Sequence, residues 1–422
     1  MQVFYRSFPQ LKYRITISKL NEQPEEQNVR ALIILLFVLA LLFPPLGSVT
    51  QAQPTSHDNS YILVGGQNGT WFQPGQSPRL FKIFLQNDSA TQLTPVPGQG
   101  TVWGGGWNGS EWLISGWGAD AGTSGSNPYL YLYNGREQVA GESADQYSHQ
   151  SSWHGGDIFA ASYNGREWLL SGMGSDEILT PTDGPYDFGN HMSLATFDGN
   201  KFTDLSTIIP EQGDAILYTN TWNGSLWMVG GGYYSYGTLF TFDGSNITDL
   251  TTQINKAVGS FGSVLSIRWN GSYWLIGGYG FLAKYDGHNF QDLTQQLYNS
   301  IGKVSSPVIV NAIAWNGSSW MIGGGSMVAE LQTQQQSSAV AWIASYGTQG
   351  FKDLTGSLPT YITKPIIGSS ILTIGYLDNR WILGGFSDSD PILLTIAPHS
   401  FTDLSYLIGP TMSYVIWIGG AS

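Results

Sequence analysis

The 422-residue chain predicts an all-β fold: a seven-bladed β-propeller of four-stranded antiparallel blades, the first blade completed by the C-terminal strand. Three observations predict it. One phrase reads as two strands around an Asn-Gly turn, and a second reads as two strands around an Asp-Gly-type turn. Both recur about every 50 residues, the period of a propeller blade.

The first phrase is WNGSEWLISG at 107–116, YNGREWLLSG at 163–172, WNGSLWMVGG at 222–231, WNGSYWLIGG at 269–278, WNGSSWMIGG at 315–324 and LDNRWILGG at 377–385. Asn-Gly favours a type I′ turn, with positive φ at both central residues. The flanking Trp, Ile, Leu and Val suit strands. The Gly-Gly pair is expected to end the second strand where a neighbouring backbone comes close.

The second phrase is FDGNKFTDL at 197–205, FDGSNITDL at 242–250 and YDGHNFQDL at 285–293, with looser copies YGTQGFKDL at 346–354 and IAPHSFTDL at 396–404. A weaker copy occupies 85–93, and an eroded one starts at Tyr133. SYILVGG at 60–66 supplies a seventh second strand, and MSYVIWIGGAS at 412–422 supplies the missing first strand, with Trp417 matched to Trp269. The ring thus closes without a covalent seam.

Gly-Gly ending strand two, an aromatic-Asp-Gly turn after strand three and an aromatic five residues later resemble kelch repeats of the galactose-oxidase type. The resemblance covers 60–422 and implies a fold, not an activity. The chain departs from the pattern in placing Phe202, Phe290, Phe351 and Phe401 where tryptophan is usual.

Composition narrows the function. Glycine numbers 54, charged residues are 11%, aromatics 14%, and the net charge is −13. Such a charge argues against a nucleic-acid surface. There is no cysteine, which excludes disulfides, thiolate catalysis, thiolate-bound metal and the cysteine-crosslinked tyrosine of a copper-radical oxidase. The sialidase Asp box, the G-x-S-x-G elbow and HExxH are also missing from the sequence.

The N-terminus reads as an address. Residues 1–30 form a cytoplasmic segment, and 31–43 (ALIILLFVLALLF) are apolar throughout. Five basic residues precede that run and the next is Arg79, so the positive side lies inside and the rest is exported. The run is short for a membrane span. Residues 31–52 therefore read as a signal-peptide core or, if uncleaved, a membrane anchor through 31–47. Residues 53–59 are a polar linker, and 60–422 the propeller. Beyond residue 52 there remain 12 basic and 27 acidic residues.

Trp112, Trp168, Trp227, Trp274, Trp320 and Trp381 share one place in the repeat and are expected to pack between blades. Asp204, Asp249, Asp292, Asp353 and Asp403 share another and are expected to accept hydrogen bonds from a neighbouring turn. Sequons at Asn68, Asn87, Asn108, Asn223, Asn246, Asn270 and Asn316 are glycosylation candidates, most of them arising from the turn itself.

The variable two-three and four-one loops share one face of the ring, and function tends to reside in such loops. They carry Trp117 and Asp120 in blade two, and His149 and His154 in the connection that follows. Blade three contributes Asp176, Asp183, Tyr186, Asp187 and His191. Tyr234, Tyr236, Tyr279, Phe386 and Asp388 come from blades four, five and seven. Acids beside aromatics suit sugars, and calcium is the cation such oxygens would hold, although no cofactor is required. The leading expectation is an exported, non-enzymatic module binding a glycan or a cell-envelope protein. The alternatives are a glycan hydrolase or lyase using loop carboxylates, and a structural envelope component.

Overall fold

The computed structural model describes residues 60–420, apart from 70–76, 94–98, 120–126, 137, 141–152, 154–155, 176–189, 211–214, 234–235, 303–307, 326–339, 366–367 and 399. The expected N-terminal segments fall outside these residues. Among the described residues no helix is long and apolar enough to cross a membrane.

Seven four-stranded antiparallel sheets form the propeller. The first strands, in blade order from one to seven, are Tyr414–Gly419, Gln99–Trp107, Asp157–Tyr163, Ile216–Trp222, Val264–Trp269, Val310–Trp315 and Ser369–Leu377. Each touches the next and the last touches the first, so the strands wall a central channel. Blade one is completed as expected: Tyr414–Gly419 pairs antiparallel with Tyr61–Asn68. The residue match within it is corrected. Gly65 faces Trp417 as Gly277 faces Ser266, so Trp417 takes the place of Ser266, not of Trp269.

All seven first strands carry a bulge at one position: Ile416, Trp103, Phe159, Tyr218, Leu265, Asn311 and Leu372. The Gly-Gly phrase explains it. A Cβ on the second glycine would overlap a first-strand carbonyl oxygen of the same blade, for example Gly231 on Ile216, Gly278 on Ser263 and Gly385 on Ser370. A Cβ on the first glycine would press into the next blade, as Gly277 into Val310 and Gly384 into Val415. The residue before each bulge is apolar and buried in every blade. Strand two need not end at this pair; in blade four it runs on from Trp227 to Tyr233.

The repeated tryptophans pack as expected. Trp227 and Trp320 are fully buried, and Trp320 donates through Nε1 to the Tyr273 hydroxyl of the preceding blade at 2.8 Å. Each also meets the aromatic across its turn, from Trp222–Trp227 at 4.5 Å to Trp269–Trp274 at 5.0 Å between centroids. Such pairs each contribute about 1 kcal/mol beyond burial.

The hairpin chemistry differs from expectation. In the WNGS turns only glycine has positive φ, from +92° at Gly317 to +103° at Gly224. The asparagine precedes it and accepts two backbone N–H bonds, as Asn316 Oδ1 does from Ser318 (2.9 Å) and Ser319 (2.7 Å). Glycine therefore opens the two-residue loop, and asparagine locks it as an Asx turn. Blade seven alone keeps the type I′ signature, with Asp378 and Asn379 both at positive φ.

The repeated aspartates accept as expected, for instance Asp292 Oδ1 from Thr294 N at 2.8 Å. The following hydroxyl then accepts from strand three, Leu282 N to Thr294 Oγ1 at 3.0 Å. This corner starts helices that the sequence reading did not anticipate, α1 (Thr251–Val258) and α2 (Thr294–Ile301), and in blade six a 3-10 turn at Thr355–Ser357, after which the one-turn α3 (Thr360–Thr363) follows Pro359. Their signal was Leu297 and Ile301 four apart, with Gly259 and Gly302 closing α1 and α2 at positive φ.

Two outcomes test this architecture. Gly385→Ala, a site without backbone strain, should lower stability by about 3 kcal/mol, read as an earlier thermal midpoint. Deleting 412–422 exposes the Tyr61–Asn68 edge and the core around Val415. Cooperative unfolding should then disappear from calorimetry; a sharp transition near the full-length midpoint would contradict the closure.

Candidate functional site

Antiparallel pairing places the two-three and four-one connections on one face and the NG and DG turns on the other. Of the loop-face candidates, Asp120, His149, His154, Asp176, Asp183, Tyr186, Asp187 and Tyr234 lie outside the described residues. Trp117 is half-buried and pairs across strands with Thr101 and Pro128. His191 is half-buried opposite Gly174. Tyr279 is half-buried and bridges to Ile309 of the next blade. Tyr236 is 78% exposed, opposite Tyr233. Phe386 turns inward instead: it is fully buried and meets the Tyr414 ring edge-on at 5.2 Å. Asp388 adopts positive φ and accepts from Gly368 N at 3.2 Å, pinning the entry to blade seven.

The sequons sit on hairpins. Asn108, Asn223, Asn270 and Asn316 use Oδ1 within their turns. Asn87 and Asn246 are exposed, and Asn68 Oδ1 accepts from Ser413 Oγ at 3.2 Å across the closing strand pair.

The channel lining was not resolved into residues by the sequence reading. Its cavity is about 130 Å³, and all seven first strands contribute to the lining. Six of the seven bulged residues give it an apolar upper belt toward the loop face, and the seventh is Asn311, which donates to Ser370 Oγ at 2.8 Å. Trp103, Phe159 and Tyr218 form an arc, with centroid separations of 4.9 Å and 5.4 Å. Below the belt the wall turns polar: Asn220 donates to Ser171 Oγ at 2.7 Å and accepts from Ser162 Oγ. Arg268 is the one charged residue among the lining; no Asp, Glu, Lys or His joins it. A strand position three residues past each bulge was the available signal, visible only once the bulges are located.

A second buried group lies at the loop end of blade three. Asp157 opens its first strand, opposite Met173, and is 6% exposed. Burial pushes its carboxyl up to about 8, and its proximity raises the buried Tyr129 hydroxyl further. Tyr129 donates to the Thr101 carbonyl at 2.9 Å. Among the described residues there is no group of three His, Asp or Glu side chains able to hold a metal ion.

No protein-family profile matches the chain, and no curated protein matches it. Solved structures do. A 6-phosphogluconolactonase-like protein of Bacteroides uniformis aligns at TM-score 0.50 and 10% identity, over 86% of this chain and 99% of the other. The β-propeller domain of the Trilobed protease of Pyrococcus furiosus aligns at TM-score 0.42 and 10% identity, over 82% and 98%. An acylaminoacyl peptidase of Pyrococcus horikoshii aligns at TM-score 0.47 and 10% identity, over 85% of this chain and 52% of the peptidase; this chain spans about half of that protein. At such identities the likeness concerns the fold alone.

Asp157 makes stability pH-dependent in a defined direction. An unfolded Asp ionises near 3.9, whereas the folded group keeps its proton up to about 8. Between those values the folded state binds the extra proton, so this group's contribution falls as pH rises. Asp157→Asn should therefore leave the thermal midpoint unchanged below about pH 4 and raise it progressively toward pH 8, as the stability difference grows to a few kcal/mol. Equal midpoint differences at pH 4 and pH 8 would contradict the assignment.

Proposed function

We propose that this chain is an exported, non-enzymatic binding module of divergent kelch type, engaging a glycan or a cell-envelope protein through its loop face. The observation that carries this reading is the set of aromatic rings toward the loop side: Tyr236 projects into solvent, and the Trp103–Phe159–Tyr218 arc belts the channel beneath. Aromatic faces pack against the apolar faces of sugar rings and anchor protein partners. The kelch reading draws its support from the contact of the second glycine with the bulged strand in all seven blades, five of them with a Gly-Gly pair, and from the Asp-Gly turns. Retention by the 31–47 segment, or release after its cleavage, would set whether the propeller is tethered.

Binding of the full chain to a glycan array without product release tests this reading. Tyr236→Ala should weaken any captured glycan about tenfold, the order of a lost aromatic anchor, and leave the thermal midpoint unchanged. Product release from a polysaccharide panel that Asp183→Asn or Asp187→Asn abolishes would replace this reading with the hydrolase or lyase one.

A further inference from the structure

We infer that the tight-turn end of the central channel is a binding site for a small oxyanion, a carboxylate or sulfate group, held by the Arg268 guanidinium. This site is distinct from the loop face and lies at the opposite end of the ring.

The position is defined by register. Arg268 faces Leu275, the residue after the repeated tryptophan of blade five. The same place in the other six blades holds Gly106, Ser162, Thr221, Ala314, Gly375 and Gly419. Six small residues hold the place that one long cation takes in blade five, and the nearest large side chain of the lining on the blade-one side is Trp417, whose ring lies against Gly419 and Gly105. Arg268 comes three residues after the bulge at Leu265, about 10 Å further along the strand, and next to the WNGS turn.

The guanidinium is held but not satisfied. Its Nη1 donates to the Ile267 carbonyl at 2.9 Å and approaches Thr221 Oγ1 of blade four at 3.4 Å. Thr221 Oγ1 itself donates to the same carbonyl at 2.8 Å, which fixes the head against the blade four–five seam. Nε and Nη2 make no hydrogen bond to the described residues, and no described carboxylate pairs with the group. Arg268 is nevertheless exposed to the cavity.

A structural arginine in an acidic domain would be expected to find a carboxylate, since the domain carries more than two acids per base. This one instead keeps Nε and Nη2, the pair of donors that matches a carboxylate or sulfate bidentately, without a partner among the described residues. The cavity of about 130 Å³ has room for a handful of waters, and hence for a small oxyanion or one acidic group of a larger molecule. Low-dielectric walls strengthen that attraction relative to open surface.

Isothermal titration of the full chain with sodium acetate, sodium sulfate and sodium glucuronate, each at ionic strength matched with chloride, tests the site. Saturable binding of at least one is expected, weakened more than tenfold in Arg268→Gln, with Tyr236→Ala unaffected. Selective binding of glucuronate would identify a sugar acid as the source, and comparable binding of all three a free anion. Arg268→Lys keeps the charge but loses the fork, so it should also weaken binding and serves as the test should the glutamine variant not fold. Absence of saturable binding by all three anions, or wild-type affinity in the variants, overturns the inference. Because the readout is at the turn end, its failure would leave the loop-face reading standing.

Discussion

A carbonyl oxygen of the innermost strand, set where a glycine's side chain would begin, recurs in all seven blades, and the rest of the propeller depends on that contact. In blade one it is the Tyr414 carbonyl against Gly66, in blade three Asp157 against Gly172, in blade six Ile309 against Gly324. The close approach forces one extra residue into the first strand, because two backbones that near cannot keep a regular ladder. The bulge turns one side chain per blade toward the axis. It also sets the preceding apolar residue, such as Val264 or Ile371, into the seam with the previous blade. One steric fact thus fixes both how the blades pack and what lines the channel.

The same contact explains what could be read from the residues and what could not. Blade number, strand number and ring closure were legible because each depends on a local phrase: a turn, a glycine pair, an Asp-Leu-[Ser/Thr] corner. The bulge was not, since it is a relation between two strands and leaves no mark on either alone. Matching Trp417 to Trp269 by residue type therefore failed by three positions. In the structure, Trp417 lies over Gly105 and meets Trp112 edge-on at 5.9 Å. The turn type was misread for a related reason. Asn-Gly permits type I′, but the asparagine side chain here gains two backbone donors by standing outside the loop, and that gain decides the geometry. The two longer helices after blades four and five were written in the chain, yet their apolar spacing spans only two turns and is easily taken for loop.

Among the site residues, legibility followed exposure to a single rule. Tyr236 was expected on the loop face from its place between strands two and three, and it is exposed there. Phe386 was expected at the surface on the same logic and proved to be core, because Tyr414 of the closing strand covers it. That cover comes from the other end of the chain, a contact no local pattern encodes. Asp157 and Arg268 were passed over because neither stands in a motif. Both acquire their character from where the ring puts them: one where burial keeps a carboxyl protonated, the other where the six equivalent residues are small and uncharged and only Thr221 reaches it.

Repetition itself makes these two residues informative. Where seven copies of a unit solve the same packing problem, a position that varies freely reports little, and a position that is small six times and long and charged once reports a departure. Ser115 and Ser171 replace the first glycine in blades two and three; Ser171 Oγ accepts from Asn220, so that departure is absorbed by the fold, whereas the buried Ser115 hydroxyl has no partner among the described residues. Arg268 is not absorbed in this way: one of its nitrogens is hydrogen-bonded, and the other two have no partner among the described residues. In a near-symmetric ring, the symmetry-breaking residue that the fold does not satisfy is where chemistry specific to this chain should be sought.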